Sequence, residues 1–111
     1  MTTTRIVKCE WVDRNPNMND MPRGSRHFKV TLGRGRKRMT LYWSQGPAIE
    51  REPDAESIME CLEMDASTAD SCGSFDDWCA ELGFDADSRK AEALYRRVNR
   101  QAERFARFIA D

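Results

Sequence analysis

The sequence contains a single histidine, His27, and no long run of apolar residues. A serine or cysteine triad would depend on that one imidazole, whose neighbours Arg26 and Phe28 supply no carboxylate to orient it. No stretch approaches the roughly 18 consecutive apolar residues that a membrane span needs. The N-terminus is charged and lacks the apolar core of a secretory signal. We therefore predict a cytoplasmic protein with no catalytic centre, no cofactor and no membrane partner.

The four cysteines do not form a metal-binding pattern. None of them belongs to a Cys-x-x-Cys pair, and His27 lies far from the others in an alternating segment. We therefore predict no metal site. In a reducing cytoplasm the thiols stay unpaired. Three of them lie in or beside segments predicted as helices or strands, which favours burial as small hydrophobic side chains. The four residues are Cys9, Cys61, Cys72 and Cys79.

The net charge of −1 conceals a strong segregation of charge along the chain. Residues 1–46 carry ten Lys or Arg against three Asp or Glu, and residues 47–87 carry one against thirteen. Residues 88–111 carry seven basic side chains against three acidic ones. This basic, acidic, basic order predicts either neutralisation between the segments or a surface with two opposite poles. The sequence leaves both alternatives open.

Alternating apolar residues predict three strands in the first part of the chain. Val7, Cys9 and Trp11 fall on one side of a first strand at residues 5–12. A polar loop at residues 13–25, rich in proline and glycine, follows it. Two alternating runs within residues 27–44 flank Gly33-Arg34-Gly35-Arg36 and predict a β-hairpin. Three antiparallel strands with one apolar face need a covering layer.

Helical patterns in the second part supply that layer. We predict a first helix that has Pro53 in its first turn and ends near residue 64, followed by a loop at residues 65–73. Ser74 is the expected N-cap of a short helix that Gly83 ends. The last helix is the longest and has one apolar and one arginine-rich side. The apolar side comprises Ala91, Leu94, Tyr95, Val98, Ala102, Phe105 and Ile109, and the basic side Arg89, Arg96, Arg97, Arg100, Arg104 and Arg107.

These elements predict a single α+β domain over residues 1–111. A three-stranded antiparallel sheet, made of the N-terminal strand and the hairpin, packs against about three helices, the C-terminal one longest. Residues 1–46 form the basic β part and residues 47–111 the helical part.

Charged side chains, and not catalytic groups, are the candidate contact residues. The basic hairpin tip suits a nucleic-acid backbone or an acidic protein surface, although a solvated turn explains it as well. The arginines on the last helix likewise suit a phosphate backbone, although neutralisation by the acidic segment of the chain explains them as well. The acidic segment imitates the charge of nucleic acid and fits a basic groove on another protein. The candidates are Arg34, Arg36, Lys37 and Arg38 at the tip, Glu50, Glu52 and Asp54 in the acidic segment, and Arg96 and Arg100 on the last helix.

Residues 75–91 carry a recognisable motif. They read Phe-Asp-Asp-Trp-Cys-Ala-Glu-Leu-Gly-Phe-Asp-Ala-Asp-Ser-Arg-Lys-Ala, and a long amphipathic helix follows. This pattern resembles a family of small accessory proteins carried by tailed phages and prophages. The likeness covers about residues 47–111 and leaves the first strand and the hairpin outside it. It implies that Trp78 packs inward, that Gly83 ends one helix, and that Asp85 or Asp87 begins the next.

The resemblance also implies a function class. Small non-enzymatic phage proteins often dock on a host complex, and anti-CRISPR inhibitors are one such group. The expectation is therefore an accessory protein of the bacterial host cytoplasm that binds and inhibits or modulates a host protein or ribonucleoprotein complex. The alternative is a small nucleic-acid-binding or transcription-regulatory protein that uses the basic hairpin tip and the arginine-rich helix.

Overall fold

A computed structural model describes residues 3–17 and 21–110 of the chain. Its three strands form one antiparallel sheet in the order β1-β2-β3, and three helices follow. The predicted α+β fold is confirmed, and the last helix, with 21 residues, is the longest. The elements are β1 at Thr4–Val12, β2 at Arg26–Arg34, β3 at Lys37–Gln45, α1 at Ala55–Cys72, α2 at Phe75–Leu82 and α3 at Arg89–Ile109.

The β2–β3 hairpin supplies the apolar face of the sheet. Its turn lies at residues 35 and 36, where Gly35 takes a φ of 61°, a left-handed conformation that favours a residue without a Cβ. Directly paired residues of antiparallel strands share a face. Three such pairs form the apolar row, and they are Phe28 with Trp43, Val30 with Leu41, and Leu32 with Met39. The predicted hairpin is therefore present with the predicted alternation.

A bulge in β1 changes the predicted facing of one side chain. Val7 is an extra residue between two positions that pair with consecutive residues of β2. Cys9 and Trp11 pair with residues of the apolar row, whereas Val7 lies on the opposite face, against Gly33. The predicted grouping of Val7 with Cys9 and Trp11 is therefore wrong. A bulge cannot be detected from the alternation of apolar residues in one strand, because it depends on the pairing with the neighbouring strand.

Helices α1 and α3 cover the apolar face. Ile58 and Leu62 of α1, together with Phe105 and Phe108 of α3, are almost fully buried in the same cluster as the sheet residues. Phe108 was not part of the apolar side predicted for the last helix. It lies at the margin of that side, and its long side chain reaches the core from there. Helix α2 packs elsewhere, where Trp78 centres a second, smaller cluster.

Helix α1 continues through the segment predicted as a loop. It ends at Cys72, which packs on the Trp78 cluster, and Gly73 follows with a φ of 67°. The Thr68 hydroxyl donates to the Met64 carbonyl at 3.0 Å within the helix. A segment rich in Ser, Thr and Asp has weak helix propensity, and tertiary packing at its far end outweighs that weakness.

The helix starts differ in part from their predictions. Asp54 is the N-cap of α1, so Pro53 precedes the cap and does not lie in the first turn. Ser74 begins α2 and Gly83 ends it, as predicted. The N-cap of α3 is Ser88, and neither Asp85 nor Asp87 takes that place.

The predicted loop at residues 13–25 contains no helix or strand at residues 13–17 and 21–25. Residues 18–20 of that prediction lie outside the described residues.

Candidate functional site

The hairpin tip lies against the C-terminal end of α3. The Lys37 ammonium donates hydrogen bonds to the carbonyl of Arg107, at 3.1 Å, and to that of Ala110. Further along β3, which is an edge strand, the Thr40 carbonyl accepts a hydrogen bond of 3.0 Å from the Arg104 guanidinium. Strand β3 and helix α3 therefore run antiparallel, side by side.

A narrow groove of about 190 Å³ separates the middle of α3 from β3. Arg97, Arg100 and Arg104 line its helical side, and residues 40–42 line its strand side. Arg97 also donates to the Pro16 carbonyl at 2.7 Å, which holds the loop after β1 beside the groove. None of the described residues that line the groove is acidic. We call it the arginine groove.

The tip and the arginine groove form one basic surface, which we define as Arg36, Lys37, Arg97, Arg100, Arg104 and Arg107. All six residues are exposed. From residue 97 to residue 107 the helix advances about 15 Å at its usual rise per residue. The two ion pairs seen between described residues, Lys8–Glu10 and Arg96–Glu92, include none of the six. Among the described residues, no ion-paired carboxylate therefore cancels the positive charge of this surface.

Three of the predicted basic contact residues are not part of this surface as defined. Arg38 is paired with Gly33, which lies on the face of the sheet opposite to α3. Arg34 is paired with Lys37, but its guanidinium donates to the Thr4 hydroxyl at 3.3 Å, at the end of β1. Arg96 lies one turn before Arg100 on the same side of α3, but it pairs with Glu92 at 2.6 Å. Arg97, Arg104 and Arg107 were not among the predicted contact residues, although the recurrence of arginine along the last helix was the signal that could have identified them.

The predicted acidic contacts lie before α1 and do not join the hairpin tip. Glu50 and Glu52 are exposed. The Asp54 carboxylate accepts hydrogen bonds from the backbone N–H of Ser57, at 2.8 Å, and from its hydroxyl, at 2.9 Å. These two hydrogen bonds lower the pKa of Asp54. Asp54 therefore has a structural role at the start of α1.

A larger cleft opens beside the arginine groove, between β3 and all three helices. Its volume is about 480 Å³. Its walls are mainly apolar, with Leu41, Leu62, Trp78, Phe84, Leu94 and Val98 among them. Polar side chains also line it, and they include Asn15, Asn17, Asp65, Arg97 and Gln101. Sequence reasoning missed this cleft because its walls come from segments far apart in the chain.

Two polar groups of the cleft are partly or fully withdrawn from solvent. The indole Nε1 of Trp43 is buried and has no hydrogen-bond partner among the described residues, which is costly for a donor. Asp65 is exposed as a residue, yet neighbouring protein atoms partly desolvate its carboxyl group and raise its pKa.

The only histidine contacts a serine of the cleft. His27 Nδ1 lies 2.7 Å from Ser44 Oγ, which also accepts a hydrogen bond of 3.0 Å from the Asn15 amide. His27 and Ser44 are direct neighbours on β2 and β3. No described carboxylate contacts the imidazole, so the arrangement holds the loop after β1 on the hairpin without the orienting acid of a triad. The absence of enzymatic activity stays a prediction.

The cysteines are only partly buried. Cys79 is buried and Cys72 half-buried, but Cys9 and Cys61 are exposed, so the predicted burial is wrong for these two. Cys9 lies on the strand that the helices cover least, and Cys61 lies at the mouth of the cleft. Burial, followed by the charges of Asp76 and Asp85, raises the pKa of the Cys79 thiol. In the part of the chain that the structure describes, no three His, Cys, Asp or Glu side chains lie close enough to hold a metal ion.

Comparison with known proteins adds no relative. No protein-family model matches the chain, and neither a curated protein nor a solved structure matches it. The resemblance of residues 75–91 to phage accessory proteins therefore stays a prediction. No described helix is long and apolar enough to cross a bilayer.

Proposed function

We propose that this protein is a nucleic-acid-binding module whose basic surface holds a phosphate backbone. One observation carries the proposal, namely that the hairpin tip and α3 bring six exposed cations together, none of which is ion-paired with a carboxylate of the described residues. Five of the six are arginines, which lie on α3 or in the turn, and planar guanidinium groups match phosphate oxygens in geometry and charge. A clustered basic surface of this kind is the electrostatic footprint of nucleic-acid binding.

The proposal predicts strong dependence of affinity on salt. If about four of the six side chains neutralise phosphates of a single strand, the logarithm of the affinity falls against the logarithm of salt concentration with a slope of about −3. Raising the salt from about 50 to about 200 mM then weakens binding by about 60-fold. Fluorescence anisotropy of a labelled oligonucleotide measures this directly.

A matched pair of variants locates the contact. The double change Arg100→Glu and Arg107→Glu reverses two charges of the basic surface, and we expect it to lower affinity and to reduce the slope by about 2 units. The control, Arg5→Glu with Arg23→Glu, reverses two exposed arginines on β1 and in the loop before β2, neither of which lines the groove. We expect the control to bind almost as the native protein does. Absence of binding at low salt, or an equal loss in both variants, would refute the proposal.

A second candidate function uses the acidic side chains of α1. Glu56, Glu60 and Glu63 are exposed on one side of α1, and no ion pair between described residues includes them. Such a surface complements a basic groove on a host protein or ribonucleoprotein complex, as the phage resemblance implies. The test is displacement of nucleic acid from a purified CRISPR effector complex. Changing the three glutamates to lysine should abolish displacement, and an unaffected triple variant would contradict this candidate.

A further inference from the structure

The apolar cleft and the arginine groove are continuous. Asn17, Leu41, Tyr42, Arg97 and Gln101 line both of them. A ligand can therefore place an anionic part in the groove and an apolar part in the cleft at the same time. At about 480 Å³, the cleft lies within the size range of small-molecule sites, which is about 300–1,000 Å³.

We infer that the cleft receives one unstacked base of a nucleic-acid strand whose phosphates lie in the arginine groove. This inference rests on the proposed function and adds to it a specific receptor for the base. Single-stranded nucleic acids are commonly recognised in this way, with splayed bases on aromatic side chains and phosphates on basic ones.

The walls of the cleft offer aromatic surface for a base. Phe84 lines it and is 36% exposed, and its ring is stacked on that of Trp78 with 3° between the planes and 5.1 Å between the centroids. Trp78 is buried and also contacts Tyr95 at 5.3 Å between centroids, so neighbouring rings hold it in position. A rigid aromatic wall loses little conformational entropy when a flat ligand packs against it.

Polar groups in the cleft suit the edge of a base better than an aliphatic chain. The Asn17 amide nitrogen donates to the Gln101 side-chain oxygen at 3.4 Å, which is a long and weak hydrogen bond. The bond leaves the Asn17 oxygen and the Gln101 amide nitrogen without a described partner. An acceptor and a donor side by side can pair with the edge of a base, and an aliphatic ligand would leave both unsatisfied.

Charge sets the orientation of the strand. Arg97 stands where the groove and the cleft meet, so it can contact the phosphate next to the bound base. Asp65 lies on the α1 side of the cleft and repels phosphate from there. Its carboxylate can accept a hydrogen bond from an exocyclic amino group of a base.

Two oligonucleotides of equal length and charge test the inference. One has ordinary bases, and the other has abasic sites at every position, so only the first can fill the cleft. We expect the native protein to bind the base-containing strand about 5- to 150-fold more tightly, the range that one stacked base contributes. The measurement is fluorescence anisotropy at a fixed salt concentration of about 50 mM.

Variants of α3 assign the difference to the cleft. Val98→Trp fills the cleft and leaves every arginine in place, and Ala106→Trp adds the same ring at an exposed position of the helix. We expect Val98→Trp to bind both strands equally with an unchanged salt slope, and Ala106→Trp to discriminate as the native protein does. If Val98→Trp does not fold, as judged by circular dichroism, Gln101→Ala takes its place and should lose at least threefold in discrimination.

The outcomes separate this inference from the proposed function. Equal binding of the two strands by the native protein, with a normal salt slope, overturns the base receptor and leaves the basic surface intact. If the folded cleft variant still prefers the base-containing strand as strongly as the native protein does, the cleft is not the place where the base binds. No binding of either strand overturns the proposed function itself.

Discussion

Gly33 shows how one residue accommodates the bulge in β1. A Cβ added at this position would lie 2.6 Å from a methyl carbon of Val7 and 3.2 Å from the Arg38 guanidinium. The first distance is too short for carbon atoms in contact, so a larger residue must displace Val7. Gly46, by contrast, has open space where a Cβ would stand.

We predict that Gly33→Ala lowers the free energy of unfolding by about 1–3 kcal/mol, because of overpacking. Gly46→Ala is the matched control and should change it by less than about 0.5 kcal/mol. Urea unfolding measures both. Adding Val7→Ala to Gly33→Ala removes the clashing methyl group and should restore part of the loss. Equal stabilities of the two glycine variants would show that the contact with Val7 is unimportant.

The ionisation of Asp54, at the start of α1, makes the stability of the folded protein depend on pH. Hydrogen bonds from Ser57 lower its pKa in the folded protein, so the ionised carboxylate favours the folded state. That contribution is complete above the unfolded pKa, about 3.9, and is lost as the pH falls through the lower, folded pKa.

We therefore expect the free energy of unfolding to decrease between about pH 4 and pH 2 more steeply in the native protein than in Asp54→Asn. The variant keeps a capping side chain but has no carboxyl group to titrate. Urea unfolding at several pH values checks this. Identical pH dependence in the two proteins would mean that ionisation of the Asp54 carboxyl group does not contribute to the free energy of unfolding.

Helix α2 is held by aromatic contacts more than by its own length. It has eight residues, too few for an independent helix. Trp78, which is 2% exposed, stacks on Phe84 and meets Tyr95 of α3. Phe75 also contacts Tyr95, with 5.2 Å between ring centroids. The short helix therefore depends on its packing against α3.

Replacing Trp78 with Ala should cost about 3–5 kcal/mol of folding free energy, as removal of a buried tryptophan usually does. Leu82→Ala, on the same helix but 49% exposed, should cost about 1 kcal/mol or less. Urea unfolding followed by circular dichroism measures both changes. A loss at Trp78 no larger than that at Leu82 would contradict the importance of the aromatic cluster.

Elements that depend on neighbouring residues could be predicted from the sequence, whereas elements that depend on contacts between distant segments could not. The predicted hairpin is confirmed because alternation and the Gly35 turn act within a few residues. The predicted loop at residues 65–73 is wrong because Cys72, at the end of α1, packs on the cluster that Trp78 forms with Ala91 of α3. Val7 was misplaced because a bulge forms only when β1 pairs with β2.

At the scale of the whole molecule, the basic surface lies on the hairpin tip and α3, whereas the acidic segment at residues 47–87 contains α1 and α2. Neither ion pair between described residues joins the two. Molecules with opposite poles attract one another at low salt, where the screening length is about 30 Å at 0.01 M, and much less at 0.15 M, where it is about 8 Å.

We therefore expect association between copies of the protein at about 0.01 M salt and its disappearance at about 0.15 M. Size-exclusion chromatography with light scattering at both salt concentrations measures the apparent mass. The Arg100→Glu, Arg107→Glu variant should associate less, and the Arg5→Glu, Arg23→Glu control should behave more like the native protein. An apparent mass independent of salt would show that the poles are too weak to act between molecules.

The sequence by itself determined the strands of the hairpin, the caps of α2, the long final helix and the segregation of charge, because neighbouring residues decide each of these. Only the tertiary structure decided which charges stand together. Lys37 meets the end of α3 across 70 residues, and that contact exists only after the intervening chain has folded. The cleft has the same origin, since its walls come from β3 and three helices, and no local pattern of residues encodes a space between distant elements.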